Sequence, residues 1–279
     1  MGDLRSAIQG QIQALFGNTS DNRIDLSRPP GDPGLFAPDS AAWRVHGDFT
    51  SMMIGGVASL LLQMLHPGAL AGVWDFSNFR QDMQGRLRRT AQFISGTTYG
   101  STATAEALID RVRRIHDRVQ GRLADGTPYS ANDPALLTWV HVAEIYCFLT
   151  AYRRHVDTAY PAAEQDRYVA EMAALARRLG AEDVPETWAG VEAYLQAMRP
   201  ALRFDHRTRE VSRALLSQPA PTLLLAPFRK LTFDAAADLL PDWAARMHGL
   251  TQPLPQRAGI RAGVAGVGTV MRWALKPAR

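Results

Sequence analysis

The chain has 279 residues, 46% hydrophobic and 21% charged. This is an ordinary globular balance, long enough for one large domain or two small ones. Its single cysteine, Cys147, excludes an internal disulfide framework and a cysteine-rich zinc site. The net charge of +4 and pI near 9.5 would suit an anionic partner, but the basic residues are scattered and lack the recognition-helix pattern or aromatic interleaving of nucleic-acid binders.

Helical periodicity covers 3–16, 40–65, 79–95, 102–123, 133–156, 163–179, 187–198, 206–216, 234–248 and 257–275. No run of alternating strands interrupts it, so the expected fold is all-α, a single domain of about ten helices. Proline and glycine mark the breaks at "SRPPGDPG", "HPG", "ADGTP", "NDP" and "QPAPT". Asn132 or Asp133 can cap the helix entered through Pro134, and Gly180 can stop the helix containing "MAALARRL". Residues 1–36 read as an N-terminal helix and proline-rich arm, and 37–279 as the body.

The N-terminus alternates polar and apolar residues at helical spacing and does not read as a signal peptide. The apolar stretches 52–65 and 262–271 fall short of the roughly 20 residues a spanning helix needs, so the expected location is cytoplasmic. The C-terminal "RAGIRAGVAGVGTVMRWALKPAR" is basic and amphipathic. Such a helix can touch an anionic membrane surface, although packing on its own domain is the commoner use.

Four places carry candidate chemistry. His66 precedes a proline at a helix break, so capping is its default role and metal ligation the weaker one. Arg86, Arg89 and Thr90 fall at i, i+3 and i+4, a helical face that can grip an anion or simply be solvated. In "RVRRIHDRV", His116 shares an inward face with Ile109, Val112, Val119 and Leu123. A buried imidazole needs either a hydrogen-bond acceptor or a metal, and the residues alone leave both open. His141 and Glu144 lie one turn apart in an otherwise apolar helix and want each other or a ligand. They do not form the carboxylate-rich set of a dinuclear iron bundle.

In order along the chain stand His-Pro, Arg-x-x-[Lys/Arg]-Thr, Arg-x-x-His, Tyr followed by Asp-Pro, and Trp-x-His. With the surrounding "LLQMLHPGALAGVWDFSNFRQDMQGRLRRT" and "RVRRIHDRVQGRLADGTPYSANDPALLTWVHVAEIYCFLTAY", this series resembles the MpaB-type oxygenase domain. That domain is also the catalytic part of latex clearing proteins, and the resemblance runs from about Trp43 to about Leu250.

The resemblance implies a globin-like helical core and haem b as cofactor. His116 matches the family's axial histidine and Arg113 the arginine one turn earlier. Arg86, Arg89 and Thr90 match the distal element. A proximal ligand on an apolar stripe is expected to bond its other ring nitrogen to an acceptor that fixes the tautomer. Arg86, Arg88, Arg89 and Arg113 are candidates for clamping the propionates, and one of them, with the Thr90 hydroxyl, for stabilising negative charge that builds on dioxygen.

This chain has Arg89 where latex clearing proteins have lysine, a bulkier cation that cannot act as a base. With no export signal or spanning segment read in the sequence, the resemblance implies oxygenation of a small lipophilic substrate, unsaturated or isoprenoid-like, with dioxygen as co-substrate. Met52, Met53, Leu61, Phe93, Trp139 and Phe148 are expected pocket walls, and His141 or His66 an alternative metal ligand. A haem protein without oxygenase turnover and a haem-free helical binding module are the other readings.

Overall fold

The computed structural model describes residues 5, 6, 9, 10, 24–219 and 226–275. Most of the helix expected over 3–16 lies outside them. Twelve α-helices stand among the described residues: α1 (Ala41–His46), α2 (Phe49–Gln63), α3 (Pro67–Phe76), α4 (Phe79–Tyr99), α5 (Thr102–His116), α6 (Pro134–His155), α7 (Ala162–Leu179), α8 (Trp188–Met198), α9 (His206–Leu216), α10 (Ala226–Leu239), α11 (Asp242–His248) and α12 (Leu254–Leu275). The fold is all-α apart from one small hairpin, β1 (Gln120–Arg122) with β2 (Pro128–Ser130).

The antiparallel pair α2 and α6 forms the centre. Leu61, Leu62, Trp139, Ile145, Phe148 and Leu149 are all essentially inaccessible to solvent there. The helices approach closely because α2 carries a glycine at the crossing: a Cβ on Gly55 would lie 2.8 Å from Phe148 Cδ1 and 3.1 Å from the Cys147 carbonyl. Asp133 caps α6 by accepting from Leu136 N–H, with Pro134 in the first helical position. Gly180 closes α7 in the left-handed region at φ 105°. Helix α6 is also long and apolar enough to cross a membrane by length and composition, yet 72% of its most apolar window is buried inside the protein.

Three departures from the periodicity have local causes. The 40–65 run is divided at Gly47, where Asp48 starts α2 by accepting from Ser51 N–H. Residues 67–76 form a helix the periodicity does not announce, entered through Pro67 and bent by 102° from α2. The helix expected to continue to Leu123 stops at His116, because the Asp125-Gly126 turn folds 120–130 into the hairpin. Gly126 takes φ 87° there, and the Asp125 carboxylate accepts from Thr127 N–H.

Helix α12 packs against α10, α2 and α6 at the edge of the core. Asp238 on α10, its side chain 1% exposed, is surrounded by Arg154 of α6 and Arg257 and Arg261 of α12. Arg272 pairs with Asp48 at 3.0 Å. Arg257, Arg261 and Arg272 are thus committed inward, while Leu254, Val270, Trp273 and Leu275 are exposed.

Candidate functional site

His116 is the last residue of α5 and shares a face with buried Ile109 and partly buried Val112. Its Nδ1 is buried and has no hydrogen-bond partner among the described residues. Burial lowers its pKa, opposed by the neighbouring Asp117 carboxylate, so the ring is held neutral at physiological pH, the state that ligates a metal. The acceptor expected to fix its tautomer is not found among the described residues. The outer part of the expected stripe is also rearranged: Val119 lies beyond the helix and packs over Gly72 of α3, and Leu123 sits in the hairpin.

Helix α4 is kinked at Asp82, where φ −142° and ψ 61° leave the helical region. The Asp82 carboxylate recaps the chain by accepting from Gly85 N–H at 2.7 Å, and its other oxygen lies 3.5 Å from Arg89. The turn carrying Arg86 and Arg89 therefore begins at a new N-terminus. Arg86 and Leu61 then enter a narrow fissure between α2, α4 and α9, with Leu60, Met64, Met83, Val211, Ser212 and Leu215. Burial first, and the Arg89 charge second, bring the Arg86 pKa down to about 10, so it stays charged at pH 7. Among the described residues no carboxylate pairs with it.

The other members of the distal element face differently. Arg89 is exposed and paired with Asp82. Thr90 is exposed and donates its hydroxyl to the Arg86 carbonyl, so it is not free to donate elsewhere. Arg88 is partly buried on the same helix. Arg113 is exposed, lines a separate groove, and donates to the Arg178 carbonyl at 3.5 Å. The structure thus brings Arg86 and Arg89 into electrostatic contact but does not gather the four arginines and His116 around one opening among the described residues.

His66 is the N-cap of α3: its Nδ1 accepts from Gly68 N–H at 3.1 Å, which occupies the lone pair a metal would use. His141 is buried with Nε2 unpartnered among the described residues, and burial, aided by Arg177, brings its pKa to about 3. Of the two roles expected for His141 and Glu144, a bond to each other is not found among the described residues. Burial instead pushes Glu144 up to about 7. Trp139 and Phe148 are plain core, Trp139 donating Nε1–H to the Gln63 carbonyl. Among the described residues no three His, Cys, Asp or Glu side chains converge to hold a metal by themselves.

Two polar networks had no signal in the spacing. His46 is buried between the Thr98 hydroxyl at 2.8 Å and the Tyr168 hydroxyl at 3.0 Å. His248 lies 2.9 Å from the Leu61 carbonyl through Nε2 and 3.5 Å from Ser212 Oγ through Nδ1. Nε2–H donates to that carbonyl, which leaves Nδ1 to accept from Ser212, a wall of the Arg86 fissure. The partners in each network come from sequence-distant helices, so only the tertiary fold reveals them.

Among the described residues, the all-helical body thus places one inward histidine at a helix end and a partly buried cation in an apolar fissure. The chain belongs to the family of the ER-bound oxygenase mpaB/B' and rubber oxygenase catalytic domain, whose model matches residues 43–273. No curated protein and no solved structure matches it.

Proposed function

We propose that the protein is a haem b-dependent oxygenase acting on a lipophilic, unsaturated or isoprenoid-like substrate. The observation that carries this reading is the buried, unpartnered Nδ1 of neutral His116 in a chain of this oxygenase family. An orphaned buried ring nitrogen costs on the order of 1–3 kcal/mol. Iron relieves that cost, and a porphyrin supplies four nitrogen ligands of its own, so a single histidine is sufficient.

Taken one by one, these donors have the chemistry the group needs, although the structure does not gather them around one opening among the described residues. His116 would hold the iron, and Arg86, a partly buried guanidinium without a carboxylate among the described residues, suits a propionate. Arg88, Arg89 and Arg113 are the other cations the resemblance puts forward, with Arg89 held by Asp82 and Arg113 in a separate groove. Haem, when bound, supplies the activation of dioxygen. The protein supplies the neutral imidazole, the positive charge and apolar walls such as Leu60, Leu61, Met64 and Met83 that exclude water.

The test is dioxygen uptake by the hemin-loaded protein with a soluble polyprenyl compound, compared with its saturated analogue. Uptake with the polyene only, abolished in His116→Ala, supports the reading. Equal rates with both compounds, or a fully active His116→Ala, contradict it.

A further inference from the structure

On the other flank of α5 lies a groove of about 440 Å3, lined by Asp110, Arg113, Arg114, Asp117, Asn132, Leu179 and Gly180. The C-terminal ends of α5 and α7 meet the N-terminus of α6 there. Asp110, Arg113, Arg114 and Asp117 recur at i, i+3, i+4 and i+7, a stripe adjacent to the Ile109–Val112–His116 face. The volume falls within the range of small-molecule sites.

Three observations mark the groove as built for a ligand. Asp110 with Arg114, and Arg113 with Asp117, stand at the i,i+4 spacing that closes ion pairs on a helix. Neither pair closes among the described residues, and the four charges stay spread around the groove. Arg114 and Asp110 have no partner among those residues. Finally, Asn132 donates Nδ2–H to Asp117 at 2.7 Å. A carboxylate can only accept, so this bond fixes the amide's orientation and holds the Asp117 carboxylate at the edge of the groove.

We propose that this groove binds a small zwitterion, an anionic phosphate or carboxylate and a protonated amine a few bonds apart. Arg113 and Arg114 receive the anion. The amine donates to Asp110 and Asp117. Two arginines against two aspartates make the lining neutral, which selects the ligand class. A simple anion would lie beside Asp110 and a simple cation beside the guanidiniums, whereas a zwitterion satisfies both poles.

Isothermal titration calorimetry tests this with O-phosphoethanolamine and its carboxylate counterpart β-alanine, beside inorganic phosphate and ethanolamine. At least one zwitterion is expected to bind about tenfold or more tighter than either singly charged half. Arg114→Gln and Asp110→Asn, both at exposed positions, each weaken that binding about tenfold or more. Arg118→Gln, exposed but outside the groove, leaves it unchanged. Circular dichroism verifies that every variant is folded.

No binding of either zwitterion at about 10 mM, halves that bind as tightly as the whole, or affinity indifferent to Arg114 and Asp110 overturns the proposal. Flotation on phosphatidylethanolamine vesicles that depends on Arg114 identifies a lipid headgroup as the natural source. Binding of free zwitterion without flotation identifies a soluble compound.

Discussion

At the scale of single residues, burial decides what each titratable group can do. Glu144 is pushed from an ordinary value of 4.5 to about 7. Its contribution to stability is therefore complete below about pH 4.5 and lost as pH rises through about 7. Glu144→Gln should gain on wild type by on the order of 2–3 kcal/mol between pH 5 and pH 8 in urea unfolding, while parallel pH profiles would refute the assignment. Tyr168→Phe removes one hydrogen-bond partner of His46 and should cost about 1–3 kcal/mol by thermal unfolding. Residues whose role is set by near neighbours were legible in the sequence: His66 and Asp133 as caps, Gly180 as a stop, His116 as inward. The exposure of Arg89 and Thr90 was not, because it follows from Asp82 recapping α4 and from what packs on the adjoining turns.

At the scale of elements, the close crossing of α2 and α6 and the arginine-wrapped Asp238 are the two joints that hold the body together. Gly55→Ala forces a methyl against the Phe148 ring and the Cys147 carbonyl, and should destabilise by about 1–3 kcal/mol in denaturant unfolding. Asp238→Asn leaves Arg154 and Arg261 without their counter-charge and Arg257 with only Asp242 at 3.7 Å, and should cost about 3–5 kcal/mol. Limited proteolysis should then cut within 254–275 sooner than in wild type; unchanged cleavage would mean that apolar contacts alone dock α12. Helix existence was mostly readable from periodicity. The ends were not, where a turn chemistry such as Asp125-Gly126 outcompeted a continuing apolar pattern, and α3 escaped notice because ten residues behind a proline give too short a period.

For the whole molecule, an all-helical body was legible because the apolar residues keep one period nearly throughout. The assembly of its polar groups was not, since His46, Thr98 and Tyr168 meet only after three helices pack. That packing sets the molecule's acid response. Burial holds His46 and His141 near 3 and His155 and His248 near 4, all depressed below the ordinary 6.5. Groups depressed in this way add stability that is complete above about pH 6.5 and lost as pH falls toward their folded values. Unfolding free energy should accordingly drop by several kcal/mol between about pH 6.5 and 4, and a flat profile there would contradict the burial of these rings.

Membership of the oxygenase family and the unpartnered imidazole of His116 converge on one claim, that a haem iron is held at the end of α5. The most direct test is the ultraviolet-visible spectrum of the purified protein, oxidised and reduced, beside His116→Ala with matched circular dichroism. A Soret band in the wild type that is lost or displaced in the variant is the predicted result. A wild-type protein that stays colourless and refuses added hemin, or a variant with an unaltered Soret band, would contradict it.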